Sequence, residues 1–281
     1  MNGGVDLHLH STASDGQWTP AELVELAFQK GLQAIALTDH DTTEGVDEAL
    51  RAAQGTRLRV IPGVEISTDA PGHHDLHILG YYIDHHDASL REQLEMLRQS
   101  RLDRARKIVR ALDQAGCPVS WERVSALAGE GSVGRPHIAL ALVEAEHVDS
   151  VESAFHRFLG RGALAYIPRL KLSPPDAIRL ILASGGVPVL AHPRHLIEHI
   201  PRLVRVGLAG LEVYYNGYIE AERHFLAKLA IKHHLIATGG SDFHGPGITS
   251  ATDIGHPEVP ISVVEQLEKA VRRRTARYAQ E

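Results

Sequence analysis

Two short strings, Asp6-Leu7-His8-Leu9-His10 and Gly240-Ser241-Asp242-Phe243-His244, each set metal-ligating side chains two positions apart at the end of an apolar run. In an extended strand residues i and i+2 point to the same side, so His8 and His10 share a face, as do Asp242 and His244. Imidazole and carboxylate donors converging at strand ends suit a first-row divalent cation or Mg²⁺ better than a packed core. Further donors stand in similar places. His40, beside Asp39, ends a second apolar run, and Asp15 lies in the turn after His10. Glu65 sits inside Val60-Ile61-Pro62-Gly63-Val64-Glu65-Ile66, where a carboxylate is costly unless paired or metal-bound. Its two oxygens can also bridge two cations. His77 interrupts another apolar stretch, and His192 follows Val187–Ala191 with Pro193 stopping the strand. Taken alone, each of these is as well read as a satisfied core or surface group. Nine together (His8, His10, Asp15, His40, Glu65, His77, His192, Asp242 and His244) are hard to obtain from packing needs, and they predict a metal centre.

Other candidates leave two readings open. Asp41 either caps the turn after His40 or takes part in the site. Arg194 and His195 suit an anionic ligand and a plain surface equally well. Gly134-Arg135-Pro136-His137 reads as a helix start, where Arg135 is either a surface charge or a phosphate clamp. His137 would hydrogen-bond the same phosphate or protonate a leaving oxygen. His73 and His74, beside Pro71 and Gly72, read as solvated loop residues. His85, His86, His233 and His234 receive no role.

The donors need a scaffold. Val5–Leu9, Ala34–Thr38, Leu58–Ile66, Leu76–Ile83, Val187–Ala191, Gly210–Tyr214 and Leu235–Thr238 read as short buried strands. Helical patterns lie between most of them. One runs from Pro20 to Gly31 with Thr19 as N-cap, and another from Ser173 to Gly185. Apolar strands alternating with helices predict a parallel sheet closed into a barrel, whose chemistry sits at the carboxyl ends of the strands. Between 97 and 170 the rhythm breaks. Leu94, Leu97, Leu102, Ala105, Ile108, Val109 and Leu112 recur at helical spacing, followed by Trp121–Ala128, Pro136–Ala145 and Val151–Leu159. This stretch is expected to be an all-helical insertion folded over the barrel mouth, with 1–96 and 171–281 forming the barrel. Ser262–Arg273 reads as a final outer helix.

Composition sets limits. The 281 residues are 43% hydrophobic and 23% charged, as in a globular protein. No run approaches the roughly 20 apolar residues of a membrane span, and no secretory signal is evident. A single cysteine, Cys117, rules out a disulfide framework and points to the cytoplasm. The net charge of −6 opposes broad nucleic-acid binding, although residues 98–170 carry eleven Lys or Arg against eight Asp or Glu. The 19 histidines are the unusual count.

The His8–His10 pair, Asp39-His40, the Glu65 strand, His192-Pro193 and the Asp242–His244 string resemble the polymerase and histidinol phosphatase (PHP) family. Gly134–Ala139 narrows the resemblance to 3′,5′-nucleoside-bisphosphate phosphatases and the related 5′→3′ exoribonucleases of the RNase AM type. The resemblance implies a distorted seven-stranded (β/α) barrel with the helical insertion. It implies one metal on His8, His10, Glu65 and Asp242, a second on Glu65, His77 and His192, and a third on Asp15, His40 and His244. Asp15 stands where some relatives carry histidine. Mn²⁺ fits such mixed donors, with Zn²⁺, Fe²⁺ and Mg²⁺ as alternatives. Two cations about 3.5–4 Å apart would share a water and lower its pKa for attack on phosphorus, with Glu65, Asp242 and His137 as the catalytic set. The expected activity is release of the 3′-phosphate from a small nucleotide such as adenosine 3′,5′-bisphosphate. The alternatives are a 5′→3′ exonuclease on short oligonucleotides and a histidinol-phosphate phosphatase. A polymerase-attached non-enzymatic module fits poorly with so full a ligand set. Neither a membrane nor an obligate protein partner is expected.

Overall fold

The computed structural model describes residues 4–70, 73–129, 133–168, 171–246, 251 and 253–278. The chain separates into two compact units, one of Met1–Leu94 with Lys171–Glu281 and one of Glu95–Leu170.

In the first unit β1 (Val5–Leu9), α1 (Pro20–Gln29), β2 (Ala34–Leu37), α2 (Val46–Ala52), β3 (Arg59–Ala70) and β4 (His73–Tyr81) follow in order. The chain returns from the second unit through α7 (Pro174–Ala183), β5 (Val187–Leu190), α8 (Ile200–Val206), β6 (Gly210–Tyr215), α9 (Glu220–Lys232), β7 (Ile236–Gly240) and α10 (Ser262–Tyr278). The helix starts follow local chemistry. Thr19 caps α1 reciprocally with Glu22, Pro20 fills its first position, and Ser173 caps α7 in front of Pro174.

The seven strands form one sheet in the order β1-β2-β3-β4-β5-β6-β7. Its ends meet. Leu9 bridges Phe243, the His10 N–H donates to the Phe243 carbonyl at 3.1 Å, and the Asp242 N–H donates to the His8 carbonyl at 2.9 Å. The result is a nearly closed barrel. It is not all parallel, as the alternation of strands and helices suggested. β4 runs antiparallel to both β3 and β5, because β3 and β4 form a hairpin with no crossover helix between them. That hairpin also draws His73, expected in a loop, into β4, where it pairs with Ala70.

Two apolar clusters hold this unit. One joins alternate residues of neighbouring strands, among them Ala34, Ala36, Ile61, Leu79, Tyr81, Val187 and Val189, to Val263, Val264 and Leu267 of α10. The other packs Leu23, Val24 and Ala27 of α1 and Ala49 of α2 onto Leu9, Ile35 and Leu37. The resulting apolar burial is the main favourable term for the fold, and it leaves the strand ends free to carry polar groups.

The second unit is helical throughout its described residues. α3 (Ala88–Gln114) leads into it, followed by α4 (Trp121–Ala128), α5 (Arg135–Glu144) and α6 (Val151–Ala154). The helix expected over Val151–Leu159 changes pitch at Phe155, where a π-turn closes with the Gly160 N–H on the Phe155 carbonyl at 2.7 Å. Ala105, Ile108, Leu112, Val124, Ile138, Leu142, Phe158 and Leu159 give this unit its own core. Among the described residues of the chain, no helix is long and apolar enough to cross a membrane.

Candidate metal centre

All nine candidate ligands gather in the first unit around the carboxylate of Glu65, which is 1% exposed. Each arrives from a strand or the segment beyond one: His8 from β1, His10 and Asp15 after it, His40 after β2, Glu65 from β3, His77 from β4, His192 after β5, and Asp242 and His244 after β7. Glu65 Oε2 lies 3.3 Å from His8 Nε2, 3.2 Å from His10 Nε2 and 3.0 Å from His40 Nδ1. Its other oxygen, Oε1, lies 2.9 Å from His77 Nδ1 and 3.3 Å from His192 Nε2. Asp242 Oδ1 completes the first group, 3.3 Å from His8 Nε2 and 3.2 Å from His10 Nε2. Asp15 holds a neighbouring group, 3.4 Å from His244 Nε2, 3.7 Å from His10 Nδ1 and 3.9 Å from His40 Nε2.

Eight of these donors fall into three overlapping sets, with His192 in none: His8, His10, Glu65 and Asp242; His40, Glu65 and His77; and His10, Asp15, His40 and His244. Within each set the donor atoms lie within 4.8 Å of one another. His8 Nε2, both ring nitrogens of His10, His40 Nδ1, Asp15 Oδ1 and Glu65 Oε2 are all buried and make no hydrogen bond. Buried polar atoms without partners are costly, and so many at one point need a ligand that accepts lone pairs. The donor set fits divalent cations.

The backbone is bent to deliver these groups. His192 and Asp242 adopt positive φ values of 29° and 57°, which non-glycine residues rarely do. Gly240 lies so close to β1 that a Cβ there would be 2.4 Å from the His8 nitrogen. Buried carboxylates brace the surroundings. Asp6 accepts the N–H groups of Ser241 at 2.9 Å and Gly255 at 2.8 Å. Asp39 accepts from the Ser11 N–H, the Ser11 hydroxyl and the Ser14 hydroxyl at 2.6–2.7 Å. Asp41 settles as a brace, taking the Ser67 N–H at 2.9 Å and the Ser67 hydroxyl at 3.2 Å.

Two functional residues escaped the sequence reading. Glu212, fully buried in β6, lies 2.8 Å from His8 Nδ1 and accepts the His192 N–H at 2.7 Å. It therefore turns the other nitrogen of His8 toward Glu65 and Asp242 and pins the strained His192 backbone. A carboxylate inside an otherwise apolar strand was the available signal, the same one that picked out Glu65. Tyr215 donates its hydroxyl to Asp242 Oδ2 at 2.9 Å, and nothing in its local sequence marks it.

Charge is shared across the cluster. Burial opposes a charge on His8, but Glu212, Asp242 and Glu65 outweigh it and hold its pKa well above the usual histidine range. Burial likewise opposes charge on His10, and the same Asp242 and Glu65 carboxylates push its pKa up to about 10. Glu65, Asp15 and Asp242 resist burial through the facing imidazoles, which hold all three below the usual carboxylate range. His8, His10 and His192, all with raised pKa values, are the imidazoles that offset the carboxylate charge.

The remaining candidates have other partners or face solvent. Arg194 is half exposed and ion-paired with Glu222, and His195 is exposed. Arg135 and His137 belong to the second unit. There Arg135 Nη1 donates to the Leu159 carbonyl at 3.3 Å and its guanidinium lies 5.4 Å from the Phe155 ring centre. His137 Nδ1 accepts the Gly134 N–H at 3.1 Å, closing the start of α5.

Comparison with known proteins points the same way. The signature of the PHP domain matches residues 6–171. A 5′-3′ exoribonuclease of Haemophilus influenzae is 38% identical over 253 residues, covering 88% of this chain and 92% of its own. A 3′,5′-nucleoside bisphosphate phosphatase of Chromobacterium violaceum is 35% identical over 262 residues, covering 90% and 91%. A solved structure from Bifidobacterium adolescentis, described as a metal-dependent phosphoesterase, matches with a TM-score of 0.82 at 33% identity. That match covers 95% of this chain and 96% of the other.

Proposed function

The chain belongs to the PHP domain family, and from that premise we propose that it hydrolyses the 3′-phosphate of nucleoside 3′,5′-bisphosphates, leaving the nucleoside 5′-monophosphate. The observation that carries this is the knot of buried nitrogen and oxygen atoms around Glu65 that make no hydrogen bond. His8, His10, Glu65 and Asp242 would hold one divalent ion, Glu65 with His77 and His192 a second, and Asp15 with His40 and His244 a third. We propose Mn²⁺, since mixed imidazole and carboxylate donors suit it, with Zn²⁺, Fe²⁺ or Mg²⁺ as the alternatives. Bound divalent ions supply Lewis acidity, which makes water nucleophilic near neutral pH and offsets charge building on the phosphoryl oxygens.

The protein groups do the placing. Glu65 offers one oxygen to His8, His10 and His40 and the other to His77 and His192, so it can serve two ions at once. Glu212 orients His8, and the Tyr215 hydroxyl fixes one oxygen of Asp242. For the substrate we propose Arg135 and His137, because a guanidinium and an imidazole at a helix start favour an anion, with His137 able to protonate a leaving alkoxide. Arg194 and His195 are proposed as secondary phosphate contacts. With one cysteine in the sequence, the proposed compartment is the reducing cytoplasm.

A second reading, stepwise 5′→3′ hydrolysis of short 5′-phosphorylated oligonucleotides, draws on the Haemophilus relative and uses the same centre. Purified protein supplied with Mn²⁺ should release phosphate from adenosine 3′,5′-bisphosphate faster than it shortens such an oligonucleotide. His8→Ala and Asp242→Ala should each lose more than about 100-fold, beyond the range seen when only a ligand's supporting partner is removed. Preference for the oligonucleotide selects the second reading, and near-normal turnover in either variant overturns the assigned centre.

A further inference from the structure

We infer that Asp47, His85 and His86 form a separate surface site for a late first-row divalent ion such as Zn²⁺. Asp47 stands in the first turn of α2, and the two histidines follow β4. His85 Nε2 lies 3.0 Å from Asp47 Oδ1 and His86 Nε2 lies 3.6 Å from the same oxygen. All three donor atoms lie within 4.8 Å of one another, and none belongs to the three sets around Glu65.

Two of the three separations suit a tetrahedral ion. Ligands about 2.0–2.1 Å from such an ion stand about 3.4 Å from each other, and the two distances to Asp47 straddle that value. The His85–Asp47 contact is a hydrogen bond, and His86 stands at ion-pair distance from the same oxygen, so both imidazoles converge on one carboxylate. The two rings lie 4.1 Å apart, both aimed at one oxygen.

The donors are also pre-set by their supports. The Asp84 N–H donates to the Ser184 carbonyl at 2.7 Å, and Asp84 Oδ1 accepts the His86 N–H at 3.0 Å. The Asp87 N–H donates to the Asp84 carbonyl at 3.0 Å, and Asp87 Oδ1 accepts the Leu90 N–H at 2.7 Å. The histidines thus sit on a braced turn and the carboxylate on a helix, so little ordering remains for an ion to impose. His86 and Asp47 are 61% and 50% exposed, which leaves the outer coordination position to water. An ion there would clasp the start of α2 to the turn after β4. Arg51, one helical turn beyond Asp47, is exposed and adds only a weak competing charge.

The test compares Zn²⁺ uptake by the intact Mn²⁺-loaded protein with that of His86→Ala and Asp47→Asn, by equilibrium dialysis and metal analysis. Exchange at the Glu65 centre is common to all three proteins and cancels. The wild type is expected to take up one more Zn²⁺ per chain than either variant, and to show a larger Zn²⁺-dependent rise in Tm than either. Far-ultraviolet circular dichroism identical to the wild type shows that the variants are folded. Equal Zn²⁺ uptake by the wild type and folded variants overturns the site. So does an extra equivalent that survives in both.

Discussion

Glu212 touches no position proposed for substrate, yet it holds two ligands at once: the Nδ1 of His8 and the backbone N–H of His192. Removing its charge while keeping its shape separates those duties. Glu212→Gln should lower Mn²⁺ affinity or turnover by about 10–100-fold, the range for partners that orient metal ligands. The loss should appear in the Mn²⁺ titration midpoint, with Tm of the metal-free protein changing far less in proportion. An unchanged midpoint would show that His8 does not depend on it. The histidines make a second prediction. With His8 raised and His10 near a pKa of 10, both carry protons at pH 7 in the metal-free protein, and a bound cation must displace them. Mn²⁺ affinity should therefore climb with pH and level off only above about pH 10, and calorimetry in buffers of different ionisation enthalpy should register proton release. The stability of the metal-free form runs the opposite way. A histidine pKa raised from 6.5 to about 10 contributes stability in full below 6.5 and loses it as pH rises through 10. Chelated protein should thus melt at lower temperature at pH 9 than at pH 6.5, and Mn²⁺ should reverse that trend. A metal-free Tm flat across this range would show the imidazoles to be neutral.

Elements decide whether these residues can meet. A close approach in the barrel lies where β7 ends against β1, with Gly240 pressed on His8. A methyl group there would stand 2.4 Å from a backbone nitrogen and 2.5 Å from the His8 Cβ, and neither can step aside cheaply. Gly240→Ala should cost at least the 1–3 kcal/mol typical of overpacking, read as a drop in denaturation midpoint, and should weaken metal binding because His8 itself is displaced. Full metal affinity in this variant would mean the seam is looser than drawn. Much of this scaffold was legible in the sequence. The β1 strand, the Thr19-Pro20 helix start and the helices of the second unit announce themselves through apolar period and capping chemistry. What stayed hidden is what local pattern does not encode. Strand direction is one case: Leu76–Tyr81 reads as an apolar run like the parallel strands, and only the pairing of Gly63 with Tyr81 onward reveals the hairpin. The π-turn at Phe155–Leu159 is another, because one extra residue in a turn leaves composition unchanged. The site shows the same division. Ligands grouped in short strings stood out and Glu212 carried the same signal as Glu65, whereas Tyr215 gains meaning only across strands, through its hydrogen bond to Asp242.

At the scale of the whole molecule, charge bears on the choice of substrate. A chain with a net charge of −6 gains little from a long polyanion except through a local basic excess such as that in residues 98–170. If the substrate is a single nucleotide with two phosphates, KM should rise only modestly between about 50 and 200 mM KCl. An oligonucleotide bound through several phosphates would lose affinity with a log–log slope of about −0.7 per contact. A steep slope measured with both substrates would implicate the basic stretch and favour the exonuclease. The donor set also reaches from His8 to His244, and its supports reach further still: Asp6 and Gly255 share a hydrogen bond across 249 positions. During synthesis, the first imidazoles must therefore wait for nearly the whole polypeptide before the last carboxylate arrives. A product cut short ahead of the seventh strand lacks Asp242 and His244, and with them one donor of each of two ligand sets.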